Sequence, residues 1–175
     1  MKTFKDKVAV ITGAGSGMGR YLAVLLAKDG ADVCICDVNQ ETLDETAQML
    51  RKYNVSVSSH LLDVSDKESI ESLPEKVLDQ HGKIDLVFNN AGVTTGSHFK
   101  DMEEENWDWV MGINFDGVVN STRAFIPHMI DRPEAAIVNT SSIFGMVAVP
   151  GQTVYHATKF AAVSYTHLTL PTNGT

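Results

Sequence analysis

Apolar and polar positions fall into alternating blocks along this chain, and the blocks change period as they go. Residues 8–11 (Val8, Ala9, Val10, Ile11) are an uninterrupted apolar run, which suits a strand buried on both faces of a parallel sheet. Four glycines follow at 13, 15, 17 and 19. From about Gly17 a helix is expected, because Met18, Leu22, Leu25 and Leu26 recur at helical spacing and Gly30 stands where a C-terminal cap belongs. A second strand at 33–36 ends at Asp37, and a polar-faced helix at 41–53 carries Leu43, Ala47 and Leu50. A third strand at 55–62 is ended by Asp63 and Val64. Ser65 is expected to cap a helix that runs, with an interruption at Pro74, to about Gln80, where His81 and Gly82 close it. A fourth strand at 84–88 stops at Asn89, Asn90, Ala91 and Gly92. Residues 103–130 form the longest helical stretch, with Trp107, Met111, Val118, Thr122, Phe125 and Met129 along one stripe. Trp109, Ile113 and Val119 add apolar surface elsewhere on it, as a subunit interface or an ordinary buried helix would. A fifth strand at 135–138 leads into Asn139, Thr140, Ser141 and Ser142, and a final helix holds Tyr155 and Lys159. Strands alternating with helices imply right-handed crossovers and an α/β fold with a doubly wound parallel sheet. Ligands of such sheets sit at the carboxyl ends of the strands, where the polar residues of this chain gather.

Composition narrows the classes. With 175 residues, 43% hydrophobic and 21% charged, the chain is expected to form one domain with a sizeable core and not a disordered segment. A net charge of -8 and a pI near 5.1 argue against nucleic acid or an anionic membrane as partner, while backbone dipoles still permit a dinucleotide to be held locally. Cys34 and Cys36 share one face of a strand and read as small buried hydrophobes, since a redox pair or metal site lacks its spacing and partner ligands. The six histidines form no metal-ligand grouping, so no metal is expected, and His98 lies in a loop that would border a substrate pocket. No long apolar segment follows the charges of the N-terminus. The expectation is therefore no signal peptide, no membrane span and a cytoplasmic location.

The glycine-rich turn has a chemical reading of its own. Glycines let backbone N–H groups approach a pyrophosphate with no Cβ in the way, and Gly19 would let the helix sit close to the sheet. The helix start at Gly17 would then aim its unpaired N–H groups and positive dipole end at anionic phosphates. Asp37 ends the second strand eighteen residues after Gly19, placed to accept both adenosine ribose hydroxyls. Tyr155 and Lys159 are four apart on a helix and so share one face. An ordinary phenol is a poor base at neutral pH, and a nearby ammonium favours the phenolate, so the pair suits proton exchange with an alcohol or ketone oxygen.

Together TGAGSGMG, NNAG, Asn114, Ser142 and YHATK resemble the short-chain dehydrogenase/reductase family in its shorter type, over about residues 7–163. The resemblance implies a Rossmann-like sheet of which about five of the family's strands are present. It implies cofactor contacts at Gly13, Gly15, Ser16, Gly17, Met18 and Gly19, at Asp37, at Asp63 and Val64 beside the adenine, and at Asn90, Ala91 and Gly92. It gives Tyr155 the role of general acid/base. Lys159 would tune the tyrosine and hold the nicotinamide ribose, Ser142 would hold the substrate oxygen, and Asn114 would complete a proton relay. Ser141 fits a strand-end hydrogen-bonding residue better than a catalytic one. NAD is expected over NADP, because Asp37 would repel a 2′-phosphate and neither Ser16 nor Val38 is basic.

The implied activity is hydride transfer between NAD(H) and a small secondary alcohol or ketone, by an intact parent that is a dimer or tetramer. A nucleotide-binding member without catalysis, or an inactive fragment, is the alternative. The family pattern is followed through Val163 and then departs. Residues 164–175, SYTHLTLPTNGT, read as an atypical and foreign tail. The family's further strands and helices have no counterpart, which would leave the fifth strand as an open apolar edge. A truncated, poorly stable and inactive product is the expectation for the chain as written.

Overall fold

The unbroken apolar run becomes β1 (Val8–Thr12), buried at all five positions in the computed structural model, which describes residues 3–165. Four further strands join it: β2 (Asp32–Asp37), β3 (Val57–Leu61), β4 (Leu86–Asn89) and β5 (Ala136–Asn139). All pairings are parallel and the order is β3-β2-β1-β4-β5. The chain thus builds outward from β1 in one direction, returns, and builds outward in the other. That reversal opens a crevice at the carboxyl ends of β1 and β4, the place where open α/β sheets bind ligands. The α/β, Rossmann-like doubly wound sheet expected from the sequence is the fold observed.

Alternation along β1 divides the core into two layers. Ala9 and Ile11 face α1 (Gly17–Lys28) and α2 (Gln40–Leu50), packing with Ala23, Leu26, Leu43 and Leu50. Val8 and Val10 face the other way, with Cys34, Cys36 and Val87, toward α3 (Lys67–His81) and its Ile70, Leu73 and Val77. The two cysteines do share one face, fully buried, and the hydrogen bond with Cys34, together with burial, pushes the Cys36 thiol well up. Among the described residues no group of three or more His, Cys, Asp or Glu side chains could hold a metal, and no helix is long and apolar enough to cross a membrane.

Several boundaries differ from the sequence expectation. Asp66, not Ser65, caps α3: its carboxylate accepts from the Glu68 N–H at 3.1 Å, while the Ser65 hydroxyl turns back to Asp63 at 2.7 Å. α3 continues through Pro74, which is itself buried beside Leu73 and Val77, so tertiary packing holds the helix across the missing backbone donor. α2 ends at Leu50, three residues early, and β3 begins at Val57, two residues late, because residues 51–56 form the turn between them. β4 starts at Leu86 instead of residue 84.

The long helical stretch is three pieces: α4 (Glu104–Met111), a π-helical turn (Gly112–Asp116) and α5 (Gly117–Met129). The expected stripe is partly realised, with Val118, Thr122, Phe125 and Met129 buried and Trp109 exposed on another side. α6 (Thr153–Tyr165) runs two residues past the expected break at Val163. The rest of the atypical tail, 166–175, lies outside the described residues. β3 and β5 are the outer strands of the sheet, and Val138 on β5 is 42% exposed.

The amino end of the sheet is tied by one buried carboxylate. Asp85, 1% exposed, accepts from the Val8 N–H at 2.9 Å and from the Arg132 guanidinium at 2.6 Å, with Lys83 3.7 Å away. Burial alone would raise its pKa, but the Arg132 and Val8 hydrogen bonds and the two cations outweigh it and hold the carboxyl below its ordinary value of 3.8. A depressed carboxyl pKa stabilises above the unfolded value, and that contribution is lost as pH falls through the folded value. Asp85→Asn is therefore expected to lower the unfolding free energy by about 2 kcal/mol at neutral pH, the worth of a hydrogen bond to a charged group. In urea titrations the gap between wild type and variant should close as pH drops below 3.8. An unchanged gap at low pH would show that shape and not charge carries the effect.

Candidate functional site

The first cleft lies over the carboxyl ends of β1, β2 and β4 and has a volume of about 330 Å³. Its floor is the glycine turn. Gly13 has φ +64°, and a Cβ there would lie 2.8 Å from the Ala91 Cα, so the turn can form only without a side chain. At Gly19 a Cβ would collide with the Gly13 carbonyl oxygen and lie 2.6 Å from the Asn90 amide nitrogen. α1 therefore leaves the turn with its first residues pressed onto the end of β1. Gly13, Ser16, Gly17, Met18 and Gly19 line the cleft, as do Asp37, Asp63, Val64, Asn90, Ala91 and Gly92. Gly15 stands just behind, where its N–H donates to an Asp37 carboxylate oxygen at 2.8 Å. The other Asp37 oxygen accepts from the Asn39 N–H at 3.1 Å. Val38 is exposed beside it.

The residues after β4 fasten this turn to the sheet. The Asn90 side-chain amide donates to the carbonyls of Thr12 at 3.1 Å and Gly13 at 3.3 Å. The Thr12 hydroxyl accepts from the N–H groups of Asn90 and Ala91, both at 3.1 Å, and donates to the Phe88 carbonyl at 3.3 Å. Thr140, after β5, donates to the Asn90 side-chain oxygen at 3.4 Å. Asn89 reaches Asn139 across the ladder at 2.8 Å. Backbone groups that a strand end leaves unpaired are thus satisfied by side chains of neighbouring strand ends.

A second cleft of about 150 Å³ continues from the first, sharing Met18, Asn90, Gly92 and Val93 as walls, and is lined further by Thr94, Thr140, Ser141, Tyr155 and Lys159. Tyr155 and Lys159 sit on one face of α6, with the lysine nitrogen 5.5 Å from the phenol ring centre. Lys159 is 5% exposed, donates to the Thr140 carbonyl at 2.9 Å, and has its pKa pushed below the ordinary lysine value by burial. Asn114 lies in the π turn and is buried. Its side-chain oxygen accepts from the Val93 N–H and its amide donates to the Val93 carbonyl, both at 2.8 Å, with a longer contact to Thr158 at 3.3 Å.

The two serines part company. The Ser141 hydroxyl donates to the Lys159 carbonyl at 3.0 Å, a strand-end role of the kind the sequence suggested. The Ser142 hydroxyl accepts from the Phe144 N–H at 3.2 Å and starts a short 3-10 turn, and Ser142 lines neither cleft. His98 lies just before a 3-10 turn at 99–101 and also lines neither cleft. Thr12, Thr46, Val93 and Arg20 are contributors that pattern reading missed. Only Thr12, beside the first glycine, carries a positional signal in the sequence, because the others act through contacts made by tertiary folding.

Comparison with known proteins follows the same lines. The short chain dehydrogenase family model matches residues 7–170. The 3-oxoacyl-acyl-carrier-protein reductase FabG of Thermotoga maritima is 39% identical over 162 residues, covering 93% of this chain and 66% of that protein. A short chain dehydrogenase/reductase from Burkholderia phymatum, solved in complex with NAD, superposes with a TM-score of 0.91 at 41% identity, covering 95% of this chain and 59% of that one. An NAD-bound xylitol dehydrogenase superposes with a TM-score of 0.90 at 31% identity, covering 94% of this chain and 64% of that one. The chain spans about 60% of the length of most of the curated relatives it matches, and 28% of a longer one.

The Asn114 geometry makes a direct prediction. Asn114→Ala removes the partners of both backbone groups of Val93 and is expected to cost about 2 kcal/mol of stability, from two lost hydrogen bonds at a partly buried loop. Amide hydrogen exchange at Val93 should accelerate while β1 amides keep their protection; unchanged protection at Val93 would contradict the assignment.

Proposed function

Because this chain belongs to the short-chain dehydrogenase/reductase family, we propose that it supplies the cofactor-binding and catalytic part of an enzyme that transfers a hydride between NAD(H) and a secondary alcohol or the matching ketone. The observation that carries this reading is the continuity of the two clefts. A dinucleotide anchored at Asp37 would cross the glycine turn, and its far end would arrive beside Tyr155 and Lys159. The residues present fit such a group: a turn that no side chain can enter, a helix start facing the cleft, and a carboxylate at the far wall. When bound, the nicotinamide accepts or gives the hydride.

The chain's own residues would handle position and proton. Asp37, with one backbone N–H already on each oxygen, keeps a lone pair on each for a ribose diol and repels an added phosphate. Tyr155 would take the proton from an alcohol oxygen or return it to a ketone. Lys159, held by Thr140, would place a positive charge at the phenol and favour its anion. Ser142 would hold the substrate oxygen, and Asn114 fixes the Val93 backbone that forms the wall between the clefts. Exposed Trp109 on α4 supports a homo-oligomeric parent, and the substrate is read only as a small alcohol or ketone.

One observation favours a second reading, nucleotide binding without turnover: the Ser142 hydroxyl accepts a backbone N–H and faces neither cleft. The variant that separates the readings is Tyr155→Phe. It is expected to cut turnover of secondary alcohols with NAD to less than roughly a tenth of wild type while NADH affinity stays within about twofold, since only the proton-carrying atom is lost. Lys159→Ala should damage both. NADH should also bind at least about tenfold more tightly than NADPH, from the charge of Asp37, and equal or tighter NADPH binding would refute the cofactor preference.

A further inference from the structure

Arg20, in the first turn of α1, lines neither cleft, yet its guanidinium is among the most heavily engaged groups of the described residues. Its Nε donates to the Gly15 carbonyl and to the Thr46 hydroxyl, each at 2.9 Å, and its terminal nitrogen also reaches the Gly15 carbonyl. The same terminal nitrogen donates to the Thr42 carbonyl at 3.1 Å and pairs with Glu45 at 2.8 Å. Thr46 is fully buried, and its hydroxyl, with one proton to donate, lies within reach of the carbonyls of Ala14 at 3.0 Å, Thr42 at 3.0 Å and Gly15 at 3.3 Å. One peptide unit is therefore gripped from behind by a cation and a hydroxyl.

What lies in front of the neighbouring Ala14–Gly15 peptide is Asp37. The Gly15 N–H donates to the Asp37 carboxylate at 2.8 Å, and the fit is so close that a Cβ on Gly15 would lie 2.8 Å from the carboxylate and 2.5 Å from the Thr42 hydroxyl. The Gly15 N–H belongs to the Ala14–Gly15 peptide, whose carbonyl lies 3.0 Å from the Thr46 hydroxyl that accepts from Arg20, while Arg20 holds the carbonyl of the Gly15–Ser16 peptide directly. Both peptides that flank the Gly15 Cα are thereby fixed in direction, which makes the N–H a better-directed donor. Arginine suits the task because its planar fork can hold the carbonyls of two different elements at once, where an ammonium would act as a single point. We propose that Arg20 is a positioning residue for cofactor recognition: by fixing the two peptides that flank the Gly15 Cα, one directly and one through Thr46, it holds the Asp37 carboxylate in the one orientation that presents free lone pairs to the adenosine ribose. This rests on the NAD reading above and adds to it a residue that contacts neither ligand nor reacting atoms.

The test is a cofactor comparison on the full chain by fluorescence titration, using NADH and its analogue lacking the adenosine 2′-hydroxyl, in wild type, Arg20→Ala and Arg20→Lys. Wild type should prefer NADH. Arg20→Ala should weaken NADH by about tenfold, one hydrogen bond to a charged group, yet change the analogue by less than about threefold, so that the preference collapses. Arg20→Lys should recover part of it. Equal losses for both ligands would show a merely structural role and overturn the proposal, as would an unaltered preference. Failure of wild type to bind NADH at all would overturn the cofactor reading and this inference with it. A measurement without ligand provides the second arm: hydrogen exchange of the Gly15 amide should rise in Arg20→Ala while that of Val10 does not, and an unchanged Gly15 rate would reject the relay whatever the titrations give.

Discussion

A backbone crossing with no room for a methyl group sets the position of nearly everything else in this molecule. Where α1 leaves the glycine turn, Gly19 lies against the Gly13 carbonyl and the Asn90 side chain at distances only a hydrogen can tolerate. That contact fixes how closely the helix start approaches β1. It therefore also fixes which backbone N–H groups face the cleft and how far Asp37 stands across from them. Hydrophobic burial on the two faces of β1 supplies the drive for the sheet, but burial is indifferent to direction. The turn acquires its direction from Thr12 and Asn90, whose hydrogen bonds pin it to β4.

Much of this could be read from the chain alone, and the reasons are physical. A continuous apolar run and a glycine series are local signals, so β1, the turn and the start of α1 were legible to within a residue. The strand-end residues were also legible, because polar side chains that collect where apolar runs stop mark the edge at which an open parallel sheet meets its ligand. Boundaries decided by tertiary contacts were not. Which of Ser65 and Asp66 caps α3 depends on where Asp63 points, and whether Pro74 ends a helix depends on how deeply its neighbours are buried. Arg20 and Thr46 were invisible for the same reason, since a charged residue and a threonine on amphipathic helices look ordinary until two helices meet over one peptide. Ser142 is the instructive case among the site residues: its place in the sequence was evident, but its hydroxyl's partner, a backbone N–H two residues on, was not.

An acidic chain is expected to bind an anionic ligand, and the structure indicates how the two are compatible. The net charge of -8 belongs largely to the surface, while the cleft is walled mostly by glycines and apolar side chains, with Asp37 and Asp63 its two charged members. Attraction there comes from oriented peptide dipoles at the start of α1, which act over a few ångströms and are little affected by charges a Debye length away. Of the two carboxylates that line the cleft, Asp37 is held by two N–H groups, so its charge acts locally in recognition.

The π-helical turn at Gly112–Asp116 lets one rod serve two neighbours. Each extra residue in a helical turn rotates everything after it by about 100° relative to everything before. α4 packs against α6, and α5 packs against α3. An unbroken α-helix would carry a single facing stripe and could satisfy only one of these directions. The phase step gives each half its own orientation, and it leaves Asn114 at the pivot, turned inward to Val93. Deleting any single residue between 112 and 116 would straighten the phase without shortening the rod by more than a fraction of a turn. The two halves would then compete for one orientation, and a change too small to see in a helix count would uncouple the layer beneath the sheet from the helix that carries Tyr155.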